Sequence, residues 1–333
     1  MLNQPVRAAA LLAVAAIVSG SGAQAGRTGL APGQADPQRP DVEDARYGPA
    51  PRNLLDLWKA PSPRPTPVIV YFHGGGFVNG GKEVARGSSM LAAALASGVS
   101  FASVSYQYLN DSVHLPVPMR DGARAIQFLR ARAAEWNLDP ARVAAYGVSA
   151  GAGISLWIAF HDDLASPASA DPIERQSSRL TVVGSINGQV SYDPHVFLNL
   201  LGPSPADIAM LAGLHGVSDI DAPGAQRLFD AASPLTYLTR DDPPVFTYYR
   251  YELAPAPQGG PAYVHNPKTG AMLKDRMDRL GVECVFRHLA DYTKPGGGPA
   301  KRQAQEAGDR EMLQFFLRHF GLTREPAGGP AAR

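Results

Sequence analysis

From residue 54 onward the chain alternates between two hydrophobic rhythms. Short apolar runs of strand length fall at 54–58, 68–72, 101–105, 143–146, 180–186, 245–249 and 282–287. Between them, longer stretches carry apolar residues at three- and four-residue spacings, at 88–97, 121–136, 150–160, 269–280 and 302–320, which is the period of a helix with one buried face. Strands alternating with helices predict an α/β fold, a mainly parallel sheet covered by helices on both faces. No self-similar period of about 20 to 50 residues is present, so the pattern does not support a solenoid or a propeller.

Two stretches break the alternation. Residues 161–178 are polar and acid-rich, with Asp162, Asp163, Asp171 and Glu174. They lack the regular oxygen-ligand spacing of a cation loop, and a solvated loop is expected there. Residues 192–230 carry two short apolar patterns, 196–201 and 208–214, around Pro203 and Pro223. This is where a small lid over a substrate site is expected.

The ends read differently. Arg7 is followed by an apolar run over 8–18 and by Ala23-Gln24-Ala25, the arrangement of a secretory signal over 1–25 with its cleavage site. The run is about eleven residues, short of the roughly 20 that span a bilayer. Export to the periplasm or beyond is therefore expected, with no membrane span in the mature chain. Residues 26–52, with five prolines and no apolar period, are expected to be a flexible leader. One globular domain is expected over 53–322, and a disordered tail over 323–333.

Composition narrows the function. With 45% hydrophobic and 18% charged residues, the chain has material for one large core. Lys and Arg number 31 against 30 Asp and Glu, which argues against nucleic acid or an anionic surface as partner. Cys284 is the only cysteine, so an intramolecular disulfide is excluded. Its place in an apolar strand pattern makes it a small hydrophobe.

Two motifs carry chemistry. Gly147-Val148-Ser149-Ala150-Gly151 lies between an expected strand and an apolar helix, the context in which G-x-S-x-G forms a sharp turn exposing a nucleophilic serine. His73-Gly74-Gly75-Gly76-Phe77 follows the apolar strand 68–72. Main-chain N–H groups of such a loop turn toward a developing oxyanion, and the expected hole is Gly74 and Gly75, completed by Ala150. A phosphate loop is not supported, because no Lys-Ser/Thr pair follows the glycines.

Together these motifs resemble the hormone-sensitive-lipase-like and feruloyl-esterase-like branch of the α/β-hydrolases, carboxylesterases with an HGGG loop. Further landmarks are Leu55-Asp56-Leu57-Trp58, Tyr106, Asp121, Asp139-Pro140, Ser233-Pro234-Leu235 and Pro243-Pro244-Val245. The resemblance spans most of 54–320. It implies ester hydrolysis through a serine acyl-enzyme without metal or organic cofactor, and structural roles for His73 and His114.

The remaining partners are less plain. The mechanism needs an acid and a base, in the chain order Ser, Asp or Glu, His. Where the family shows a glycine and then an aspartate, this chain has Arg250-Tyr251-Glu252-Leu253, making Glu252 the expected acid. The family histidine follows the last strand in a Gly-x-x-His context. Here His288 is the nearest, and the loop beyond it contains no histidine. His265, in the preceding loop, is the alternative base. The expected function is hydrolysis of a small or polysaccharide-linked carboxylic ester; the alternative is a hydrolase homologue without a working base that binds such ligands. Oligomeric state is left open.

Overall fold

The computed structural model describes residues 36–253, 259–293 and 301–323. The export signal expected over 1–25 and the tail from 324 lie outside the described residues.

Eight strands form one sheet: β1 (Val42–Arg46), β2 (Leu54–Trp58), β3 (Thr66–Phe72), β4 (Ser100–Val104), β5 (Leu138–Val148), β6 (Val182–Ile186), β7 (Val245–Tyr249) and β8 (Cys284–His288). Their spatial order is β1-β2-β4-β3-β5-β6-β7-β8. The pairs β1–β2 and β2–β4 are antiparallel, and from β4 to β8 all neighbours are parallel. A parallel sheet needs both faces covered, and β3 shows the result: all seven of its residues are buried.

The helices are α1 (Ser89–Ala96), α2 (Val117–Ala131), α3 (Ala133–Trp136), α4 (Ala150–Phe160), α5 (Pro194–Leu201), α6 (Pro205–Gly213), α7 (Ala225–Ala232), α8 (Pro261–Val264), α9 (Pro267–Leu280) and α10 (Lys301–His319). Side chains alternate across the sheet. Val68, Val70 and Phe72 join the core under α2, α4 and α9, with Ile126, Ile154 and Leu273. Ile69 and Tyr71 join a second core with Leu91 of α1 and Phe316 of α10. Each such buried Val, Ile or Phe stabilises the fold by about 1.5–3 kcal/mol. The insertion expected over 192–230 forms α5, α6 and most of α7, and Phe197, Leu211 and Leu214 pack into the first core.

The leader expected over 26–52 requires correction. Its residues 42–46 form the edge strand β1, and Tyr47 is fully buried with its hydroxyl donating to the Ser105 carbonyl at 2.7 Å. Val-Glu-Asp-Ala-Arg has no clean apolar alternation, because an edge strand is held by its backbone and here by charge. The Asp44 N–H donates to Asp56 at 3.0 Å, and Asp56, itself buried, pairs with Lys82 at 2.7 Å and Arg86 at 2.7 Å. Such tertiary ion pairs leave no periodic trace in the sequence.

Candidate active site

The centre of the sheet delivers Ser149. β5 ends at Val148 and α4 begins at Ala150, so the reversal falls on Ser149 alone, with φ 54° and ψ −118°. Left-handed backbone at a non-glycine residue costs about 1–3 kcal/mol and persists only where the surroundings enforce it. The flanking glycines provide that enforcement. A Cβ on Gly147 would stand 2.2 Å from the Gly151 carbonyl carbon, and one on Gly151 would stand 2.0 Å from the Phe72 carbonyl oxygen. Only glycine lets strand, turn and helix approach this closely. The Ser149 N–H donates to the Ile186 carbonyl at 2.8 Å, which ties the turn to the end of β6.

Ser149 Oγ lies 2.8 Å from His265 Nε2. His265 sits between α8 and α9, in the segment that follows β7. Of the two histidines read from sequence as the base, the structure therefore brings His265 to the serine and not His288. His288 ends β8 opposite Tyr249, three strands from β5, or about 14 Å at the usual strand spacing of about 4.8 Å. It forms a reciprocal cap with Asp291, whose carboxylate accepts the His288 N–H at 2.7 Å. The assignment of His288 is corrected on that ground. The deciding feature was the approach of α8 to the sheet, which depends on contacts with the insertion.

The expected acid is corrected too. Glu252 is exposed, and no bond joins it to His265 among the described residues. His265 Nδ1 is buried without a hydrogen bond of ordinary geometry among them. Of the 30 acidic residues in the chain, only Glu325 lies outside the described residues. Burial pushes the His265 pKa down to about 4, opposed only by the Pro261 carbonyl, which favours the protonated ring. The Tyr251 ring lies beside the imidazole, with centroids 5.8 Å apart. Among the described residues the arrangement is a Ser–His pair in an apolar setting, without a carboxylate.

The glycine loop passes next to the serine. A Cβ on Gly74 would meet the Val148 carbonyl oxygen at 2.9 Å and Ser149 Cβ at 3.7 Å. Gly75 and Gly76 have φ of 114° and 60°, which glycine adopts without strain. Gly76 and Ala150 line the cavity in front of Ser149; the reading from sequence named Ala150, Gly74 and Gly75 but not Gly76. Ala150 opens α4, where the first N–H groups have no partner within the helix. His73 is buried behind the loop, stacked on Tyr106 at 4.2 Å, with Nδ1 2.7 Å from the Gly74 carbonyl. Desolvation lowers its pKa to about 4, and it supports the loop from the side away from the cavity.

The cavity is narrow, about 40 Å³, on a measure by which one water needs roughly 10–15 Å³. Phe77, Tyr192, Leu211, Leu214 and Val264 make its wall largely apolar, and Met210 and Gln189 complete it. Neither Tyr192 nor Gln189 stood out in the sequence, because nothing marks a polar residue after β6 as lining a site. The acid-rich loop 161–178 is tied up within the protein, with Asp163 accepting from Ser178 and Asp171 paired with Arg124. Among the described residues no cluster of three or more His, Cys, Asp or Glu could hold a metal, and no helix is long and apolar enough to cross a membrane.

A serine at a strained strand-to-helix turn, facing a histidine beneath a glycine-rich loop on an eight-stranded sheet, defines an α/β-hydrolase. The BD-FAE family model matches residues 55–249, and the chain belongs to that family. Among curated proteins, Esterase LipQ of Mycobacterium tuberculosis is 27% identical over 217 residues, covering 62% of this chain and 48% of its own length. Carboxylesterase NlhH of the same organism is 37% identical over 94 residues, 28% of either chain. The chain thus spans about half the length, or less, of the curated relatives it matches.

Solved structures extend the likeness in fold. A truncated carbohydrate esterase from gut microbiota superposes with a TM-score of 0.66 at 20% identity, over 85% of this chain and 97% of that one. An acetyl ester-xyloside bifunctional hydrolase from Caldicellulosiruptor lactoaceticus gives 0.61 at 18% identity, over 89% and 100%. The esterase Est2 of Thermogutta terrifontis gives 0.62 at 18% identity, over 87% and 96%.

Proposed function

We propose that the protein hydrolyses carboxylic esters of short acyl groups through a serine acyl-enzyme. The observation that carries this reading is the 2.8 Å approach of Ser149 Oγ to His265 Nε2 at the mouth of the cavity. In the productive tautomer His265 carries its proton on Nδ1, leaving Nε2 free to accept the Ser149 proton as Oγ attacks the ester carbonyl. The negative charge moves to the carbonyl oxygen, facing the main-chain N–H groups of the glycine loop and Ala150. Donors so placed contribute about 2.7–4 kcal/mol each to the transition state. His265 then returns the proton to the departing alkoxide. Water repeats the sequence on the acyl-enzyme and releases the acid.

The narrow apolar wall of Phe77, Leu211 and Leu214 supports a preference for a small acyl group. The family and the names of the curated relatives support an ester as substrate. A leaving alcohol on a polysaccharide side chain stays within this reading, as does export by way of residues 1–25, which N-terminal sequencing of secreted protein tests.

One observation favours a second reading. His265 Nδ1 has no acceptor of ordinary geometry among the described residues, which is what a homologue that binds esters without turning them over would show. Hydrolysis of p-nitrophenyl acetate, with labelling by a fluorophosphonate that reacts only with an activated serine, decides between the two. Turnover and labelling that both vanish in Ser149→Ala establish the esterase. Folded wild type that neither hydrolyses nor labels establishes the binder.

A further inference from the structure

Among the described residues His265 has a serine on one side and no carboxylate on the other, so its orientation is sought in the other bonds around it. In a triad the acid fixes the tautomer and the direction of the imidazole and stabilises the imidazolium. Here the ring is carried by a short turn, and the bonds to that turn identify what holds it. At its far end the Gly260 N–H donates to Asp207 at 3.0 Å, and the Tyr263 hydroxyl donates to the Gly202 carbonyl at 2.7 Å. At the end next to the ring, the Val264 carbonyl accepts from Gln189 Nε2 at 3.0 Å.

Gln189 is 5% exposed and belongs to the loop that leaves β6. Its amide also donates to the Asn187 carbonyl at 3.3 Å, and Asn187 Oδ1 accepts the Arg250 N–H at 2.7 Å. The same loop holds the other partner of the pair, because the Ser149 N–H donates to the Ile186 carbonyl at 2.8 Å. Nucleophile and base thus hang from one four-residue frame, 186–189. A third tie runs from the Tyr249 hydroxyl to the Gly188 carbonyl at 2.6 Å, and Thr269 at the start of α9 donates to that hydroxyl at 3.0 Å.

We propose that Gln189 is a positioning residue of the active site, fixing His265 against Ser149 through the Val264 carbonyl and so supplying the orientation, though not the charge, of a triad acid. The proposal rests on the Ser149–His265 reading. Gln189 is uncharged and acts through the backbone, so its loss moves the ring without changing the charge of the site. Misplacing a catalytic group by about 1 Å costs on the order of 10²-fold in rate.

The test compares wild type with Gln189→Met, which keeps the side-chain length and removes the donor, and with Gln189→Ala. Near-ultraviolet circular dichroism serves as the check on folding. Three quantities are read: kcat and KM for p-nitrophenyl acetate, the rate of fluorophosphonate labelling at Ser149, and the ¹⁵N-imidazole titration of His265. In both variants kcat and the labelling rate are expected to fall together by about 10- to 100-fold with KM within about twofold. The His265 titration moves up from about 4 toward its ordinary value as the ring loosens into water.

Wild-type kcat in the Met variant overturns the proposal, as does a raised KM at unchanged kcat, which marks a substrate contact. Wild type that shows neither turnover nor labelling defeats the esterase reading instead. The titration then still decides the role of Gln189, since it needs no turnover, and an unmoved His265 curve in a folded Met variant overturns it.

Discussion

Ser149 and His265 meet at 2.8 Å, although the histidine precedes the last strand of the sheet and the serine follows the central one. The histidine therefore reaches the serine from the β7 side, where a triad in the order Ser, acid, His places its acid. Among the described residues no carboxylate joins the pair, so on the proposed mechanism activity is expected to depend on how firmly the imidazole is held.

Removing either partner is expected to lower kcat/KM for p-nitrophenyl acetate by at least 10³-fold, since residues that act as a unit fail together. Ser149→Ala and His265→Ala should thus be nearly equal, and the double variant no worse. His288→Ala and Glu252→Gln should stay within about twofold of wild type, because His288 is bonded to Asp291 and Glu252 lies in solvent. Steady-state kinetics on wild type and the five variants checks this; a large loss in the His288 variant alone would restore the end of β8 as the source of the base.

The pH dependence follows from burial. A base whose pKa is lowered to about 4 stays neutral, and so competent, far below the ordinary histidine value. The acid limb of kcat/KM is expected near pH 4 rather than near 6.5. Stability has the opposite tendency. His73, His215 and His265 are all lowered to about 4 by desolvation, so between pH 6.5 and 4 the unfolded chain binds protons that the folded one refuses. By linkage these histidines make stability rise with pH across that window and fall on acidification, on the order of 3 kcal/mol for each, against a smaller opposite contribution from Asp242, whose buried carboxyl is raised to about 6. Thermal melts at pH 7 and pH 5 should show Tm falling, with wild-type kcat/KM retained wherever the protein is folded.

Most of the sheet was legible because β2 to β7 are largely buried strands, whose apolar runs register directly in sequence, and the serine turn was legible because steric necessity fixes its glycines. β1 was not, since its polar residues are held by an edge pairing and by the buried Asp56. The base was ambiguous for a related reason. Which histidine meets Ser149 depends on the docking of α8 against α5 and α6 through Tyr263 and Asp207, and no local pattern encodes that. Gln189 acts through a neighbour's carbonyl, a role that any buried amide donor could fill and that no motif records.

Glycine positions separate steric need from tolerance. Gly151→Ala must displace the Phe72 carbonyl, since its Cβ would sit at 2.0 Å from backbone. The expected result is a loss of several kcal/mol, or no folded protein. Gly213 ends α6 with open space around its Cβ position and an ordinary φ. Gly213→Ala is expected to stabilise by about 0.5–1 kcal/mol through lower unfolded-state entropy. Urea denaturation at constant m-value measures both.

The insertion is expected to limit acyl length. Leu211 and Leu214 line the cavity together with Ser149 and Met210 and also pack in the core, so a longer acyl chain is expected to have to displace one of them. On the p-nitrophenyl series, kcat/KM is expected to fall from acetate to butyrate and to drop at least 10-fold again at octanoate, about the discrimination that one or two misfitting methylenes give in an apolar pocket. Leu214→Ala removes the obstruction. Its expected signature is a gain on butyrate and octanoate with acetate little changed, together with a stability cost of about 2–4 kcal/mol for the cavity it leaves. Equal losses on all three esters would show instead that Leu214 holds the insertion, and with it the turn bearing His265, in place. The ratio of octanoate to acetate kcat/KM in that one variant distinguishes a wall from a support.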